Sequence, residues 1–131
     1  MTKKYQKIVT VAAAGFLINF IWENLHAPLY SGYRFWAWQP MLIYASLVDA
    51  FFVVLLYFVY LARGQCVLVV MLLGLFIAYI VEILALRSGR WSYTDLMPIT
   101  PFLNVGLTPV LQMICLPVLT YKIVAAFENR S

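Results

Sequence analysis

The chain has 131 residues, of which 65% are hydrophobic and only 11% charged. A soluble domain would be about one-quarter charged, so the composition excludes a soluble enzyme and predicts an integral membrane protein of one domain, residues 1–131. The net charge of +4 comes from basic residues at the ends of apolar segments, a pattern of membrane topology that argues against a nucleic-acid partner.

About 20 apolar residues cross a bilayer as a helix, and four such runs follow one another. The first, residues 8–25, is interrupted by Asn19 and Glu23 and stopped by Pro28. A basic stretch before an apolar run can mark a signal peptide. Here Trp22-Glu23-Asn24-Leu25-His26 follows in place of a small-residue cleavage site, which predicts an uncleaved first helix. The segment Tyr33-Arg34-Phe35-Trp36-Ala37-Trp38 has the character of an interfacial belt. The second span is residues 41–62 and the third 66–86, joined by so short a connection that a tight antiparallel hairpin is expected. Trp91-Ser92-Tyr93, Pro98 and Pro101 then predict a structured, re-entrant lid. The fourth span is 109–127, with Thr108 as N-cap and Pro109 at the first helical position. Pro117 should bend it by freeing a carbonyl one turn back. The fold class predicted is therefore an all-α bundle of four transmembrane helices.

Basic residues set the orientation. Lys3, Lys4, Lys7, Arg63, Lys122 and Arg130 lie on the side of the termini; Arg34, Arg87 and Arg90 lie on the other. The excess places both termini in the cytoplasm. Cys66 and Cys115 have no metal-like spacing and read as small hydrophobes.

Three of the five acidic residues, Glu23, Asp49 and Glu82, fall inside apolar runs. An ionisable group there costs at least ~3 kcal/mol near the bilayer centre and marks a functional site by default. Asn19, Trp22, Glu23 and His26 follow a spacing of i, i+3, i+4 and i+7, one face of the first helix at its outer end. At 1.5 Å per residue Asp49 lies about 12 Å below the outer boundary, and Glu82 about 6 Å. Gln112 occupies the first outer turn of span four, and Gly74, Ala78 and Glu82 share a small-residue face of span three that should point inward. Most of these polar groups converge on the outer half of the bundle. Structural roles are open to each: Glu23 and His26 snorkelling to the interface, Glu82 paired with Arg87 or Arg90, Asp49 as a neutral hydrogen-bonded acid with Asn19 as its first candidate partner.

Several chemistries fit. A protonated carboxylic acid in an apolar pocket can donate a proton to an alkene, and aromatic faces can stabilise the resulting cation. Glu23 and His26 form half of a di-iron Glu-x-x-His pattern. This chain has one His, so a di-metal site within one chain is not expected, although a homodimer would double the ligands. The size and layout also resemble those of small multidrug exporters, which makes proton-coupled transport, or binding of a lipophilic ligand, the alternative to an enzyme. A structural accessory subunit is the plainest role.

Two stretches carry a resemblance: Asn19-Phe20-Ile21-Trp22-Glu23-Asn24-Leu25-His26-Ala27-Pro28-Leu29-Tyr30, and Gly89-Arg90-Trp91-Ser92-Tyr93 followed by Met97-Pro98, Pro101 and Gly106-Leu107-Thr108-Pro109-Val110-Leu111-Gln112. Together they resemble a group of small, uncharacterised bacterial four-helix membrane proteins. More distantly, Asn19, Trp22, Glu23, Glu82, Gly89, Trp91 and Tyr93 resemble a pattern of membrane carotenoid cyclases and hydratases and of fungal meroterpenoid cyclases. That likeness implies protonation of an isoprenoid by buried acids without a redox cofactor. It also implies a homodimer to enclose the site, because this chain has about half the helices of the larger members. The expectation is thus a bacterial inner-membrane enzyme acting on a lipid or isoprenoid, with no resident metal or cofactor. Glu23, Asp49 and Glu82 are its expected catalytic acids. Asn19, Trp22, His26, Tyr79, Trp91, Tyr93 and Gln112 are its expected substrate contacts.

Overall fold

The computed structural model describes residues 1–33 and 39–131. Residues 34–38, the larger part of the expected interfacial belt and including Arg34, lie outside the described residues. The rest is all-helical: α1 (Lys3–His26), α2 (Pro40–Ala62), α3 (Val67–Arg87) and α4 (Leu107–Glu128). All four are long and apolar enough to cross a membrane. Leu17, Phe51, Leu55, Leu72, Phe76 and Leu84 are exposed, as side chains solvated by lipid would be. Val11, Val53, Leu56, Val70 and Val124 fill the centre.

The ends of the helices follow local chemistry. α1 starts five residues before the apolar run, because nothing in Lys3–Lys7 breaks a helix. Pro28 ends it, and the chain continues as a 3-10 turn over Ala27–Leu29. Pro40 begins α2, where its missing N–H is no loss. α4 begins earlier than expected: its N-cap is Gly106, in an extended conformation, and Thr108 is inside the first turn. Pro109 still fits, since the first-turn N–H groups have no intrahelical acceptor. The Thr108 hydroxyl is released from capping and bonds elsewhere.

α1 packs mainly against α2 and also against α4, while α3 packs mainly against α4. The expected α2–α3 hairpin is joined by a tight turn at residues 63–66, with Gly64 and Gln65 both at positive φ. Its two arms nevertheless share only a thin interface. The cause lies in α3, whose small-residue face is committed to α4. Pro117 has no N–H to bond the Met113 carbonyl, and a Cβ on Gly74 would collide with that oxygen. The proline opens the α4 backbone, and the glycine admits it. Gly74, Ala78 and Glu82 are all buried along this seam, and a slot remains between α2 and α3.

At one end of the bundle Lys7 Nζ lies 2.8 Å from Glu128 Oε2, so the two termini lie together. Above it Tyr57, Tyr60 and Tyr121 pack ring against ring, and Tyr121 donates to the Val53 carbonyl at 2.6 Å. At the opposite end the segment after α1 pairs with the α3–α4 loop. Ser31 N–H donates to the Ser92 carbonyl and Thr94 N–H to that of Leu29, each at 2.9 Å. The lid is therefore structured, as expected.

The α3–α4 seam gives a direct test. Gly74→Ala should force the helices apart and lower stability by about 1–3 kcal/mol, the usual cost of overpacking. The readout is a lower thermal midpoint for the purified protein in detergent. An unchanged midpoint would contradict the contact.

Candidate functional site

Polar residues from three helices meet at the lid end of the bundle. On α1, Asn19, Glu23 and His26 are buried on one face, as their spacing requires. α4 brings Gln112 to meet them. Its Nε2 lies 2.9 Å from Asn19 Oδ1, 2.8 Å from Glu23 Oε1 and 2.9 Å from Asp49 Oδ2 of α2. Asp49 thus reaches Asn19, its expected partner, only through Gln112.

The hydrogen count at this junction is informative. An amide nitrogen carries two hydrogens, fewer than the oxygens around it. A proton shared between the Glu23 and Asp49 carboxyls would supply the missing donor. His26 completes the chain: Nε2 lies 3.2 Å from Glu23 Oε2, and Nδ1 lies 3.0 Å from Thr108 Oγ1. Glu23 and His26 do not snorkel to the interface; they are buried partners.

Glu82 belongs to a second network. Its Oε2 accepts from Tyr93 OH at 2.5 Å, from Trp91 Nε1 at 3.2 Å and, in a longer contact, from Tyr30 OH at 3.4 Å. Its partners are aromatic donors of the lid and not Arg87 or Arg90. Tyr93 also accepts from Gly106 N–H at 3.0 Å. Burial, then the hydrogen bond to Glu82, pushes the Tyr93 phenol well above its ordinary pKa. Burial and the nearby Glu82 charge do the same to Tyr30. Both phenols therefore remain protonated donors to Glu82 at neutral pH. Tyr30 also packs edge-on to Trp91, Tyr93 and His26, with centroids 6.1, 5.4 and 5.1 Å away, and so links the two networks.

Both networks face a cavity of about 110 Å³ in the slot between α2 and α3. Glu23, Asp49, Glu82, Trp91 and Gln112 line it among apolar walls such as Val48, Phe52, Ile77 and Val81. Asp49 keeps part of its surface open to this space. Tyr33, Arg90 and Trp91 also border a shallow depression with Ser31, Gly32 and Ser92 at the lid surface.

The remaining expected contacts sort by distance from this space. Asn19, His26 and Tyr93 stand behind the lining and orient it. Trp22 packs edge-on to His26 with its centroid 6.1 Å away, and its indole nitrogen is buried with no partner among the described residues. Tyr79 lies outside the cavity wall: its hydroxyl donates to Thr100 Oγ1 at 2.9 Å and braces the loop. Tyr30 was not singled out from sequence, although it lies in the stretch after Pro28; a turn direction after a proline cannot be read from spacing. No group of three or more metal-ligating side chains is present among the described residues.

Replacing the hub tests the geometry. Gln112→Leu removes the donor common to Asn19, Glu23 and Asp49 and should cost about 1–3 kcal/mol through stranded buried acceptors. Thermal unfolding in detergent measures it, and a neutral outcome would contradict the junction.

No family model, no curated protein and no solved structure matches the chain, so the chemistry of the site rests on its geometry.

Proposed function

We propose that this chain is a multi-pass enzyme of the bacterial inner membrane that performs acid–base chemistry on a lipid or isoprenoid chain. One observation carries the reading: Asp49, joined through Gln112 to Glu23, faces an apolar cavity that is also lined by Glu82, which is held by donors alone. Two carboxyls with such different partners suit two roles. Asp49 gives its proton to an alkene carbon, forming a C–H bond and leaving a carbocation. The Glu82 carboxylate and the rings of Tyr30 and Trp91 stabilise the positive charge. Loss of an adjacent proton to Glu82 then yields an isomerised or cyclised alkene; capture by water yields an alcohol.

Size supports this class of substrate. A dry cavity of ~150 Å³ holds one benzene, so about 110 Å³ suits a single isoprene unit. The rest of the chain would lie in the slot between α2 and α3, entering from the bilayer. All three acids come from one chain, so the reading does not require a homodimer. The tyrosine cluster of Tyr57, Tyr60 and Tyr121 packs the other half of the bundle and speaks against transport through it. The excess of basic residues on the terminal side supports cytoplasmic termini.

Two experiments test this reading. Incubated in D2O with membrane lipids and polyprenyl compounds, the protein should place deuterium on alkene carbons, read by mass spectrometry. Asp49→Asn should reduce incorporation by roughly a hundredfold or more, with little change in thermal midpoint. Full incorporation by the Asn variant, or none by the native protein, would overturn it. For topology, single cysteines should label from the periplasm at position 90 and not at position 63; the reverse pattern would invert the orientation.

A further inference from the structure

A donor acid buried behind a cavity must regain its proton after each turnover, and the structure offers a route that avoids the cavity itself. Thr108 is partly exposed in the first turn of α4, beside the lid. Its hydroxyl lies 3.0 Å from His26 Nδ1. The other ring nitrogen lies 3.2 Å from Glu23 Oε2, and Glu23 Oε1 and Asp49 Oδ2 meet at one nitrogen of Gln112, 2.8 and 2.9 Å from it. The residues thus follow one another from the lid to Asp49, and each is held by a further contact. Thr108 touches Met97 Sδ at 3.4 Å, His26 packs on Tyr30, and Glu23 is fixed by Gln112.

We propose that Thr108, His26 and Glu23 form a proton path from the lid surface that reprotonates Asp49 from behind the cavity. Thr108 takes a proton from water as it passes its own to Nδ1. Once Asp49 has given up its proton, the imidazole releases the proton on Nε2 to the ionised Glu23 at Oε2, and Glu23 passes that proton to Asp49. No net charge stays on the path. The imidazole ends in its other tautomer, and proton exchange between Nδ1 and Nε2 restores it before the next turnover. His26 acts here as a positioning and relay residue, since it does not line the cavity. Glu82, Tyr30 and Tyr93 face the same region from α3 and the lid, but they bond among themselves and form a separate exit for the proton Glu82 receives.

The inference rests on reading Asp49 as the proton donor, yet its test needs no substrate. Infrared spectra of the purified protein in lipid should contain a protonated carboxylic C=O band that Asp49→Asn removes. On transfer to D2O that band shifts as Asp49 exchanges. In His26→Phe the band should persist, but its exchange should slow by roughly a hundredfold, the lower end of what a positioned proton-transfer group contributes. Thr108→Val keeps the imidazole and should slow exchange in the same direction. Unchanged exchange in Thr108→Val, or in a folded His26→Phe protein, would overturn the path, as would the absence of any band removed by Asp49→Asn. Slowed exchange in a protein that transfers no deuterium to alkenes would uphold the path and count only against the enzymatic reading.

Discussion

Gln112 directs one amide nitrogen at oxygens of Asn19, Glu23 and Asp49, and the lid half of the bundle is arranged around that junction. In hydrocarbon an unsatisfied polar group costs several kcal/mol. Helices α1, α2 and α4 are therefore held in the one mutual register that satisfies these groups. α3 carries no residue of the junction. Its position follows from backbone contact, with Gly74 against the Met113 carbonyl that Pro117 sets free. Fastened to α4 on that side, α3 stands off from α2, and the space between them becomes the cavity.

The two carboxylate networks differ in kind. Around Glu23 and Asp49, acceptors outnumber the hydrogens of Gln112. Around Glu82, the phenols of Tyr93 and Tyr30 and the indole of Trp91 all donate, so that carboxyl is met by donors. A carboxyl pair short of donors and a carboxyl supplied with them line one apolar space, and the proposed reaction depends on that asymmetry.

Much of this was legible in the sequence. Apolar runs of the right length marked the four helices, and the i, i+4, i+7 spacing placed Asn19, Glu23 and His26 on one buried face. The Gly74, Ala78, Glu82 series showed which side of α3 points inward. Other features depend on contacts that spacing does not encode. Thr108 had the composition of an N-cap, but the helix starts earlier because Gly106 turns the chain. Tyr79 lies one turn before Glu82, yet its long side chain reaches the loop at Thr100. The slot between α2 and α3 was hidden because a short connection suggests close packing, whereas packing was decided by the proline–glycine fit between α3 and α4. Tyr30 reaches Glu82 only through the fold of the segment after Pro28, which spacing does not encode.

A structure of the protein in a lipid bilayer, determined without added substrate, tests the central claim most directly. The account predicts density for one apolar chain in the slot between α2 and α3, its end between Asp49 and Glu82. Close packing of α2 on α3, with Asp49 covered by side chains and no space beside it, would contradict it.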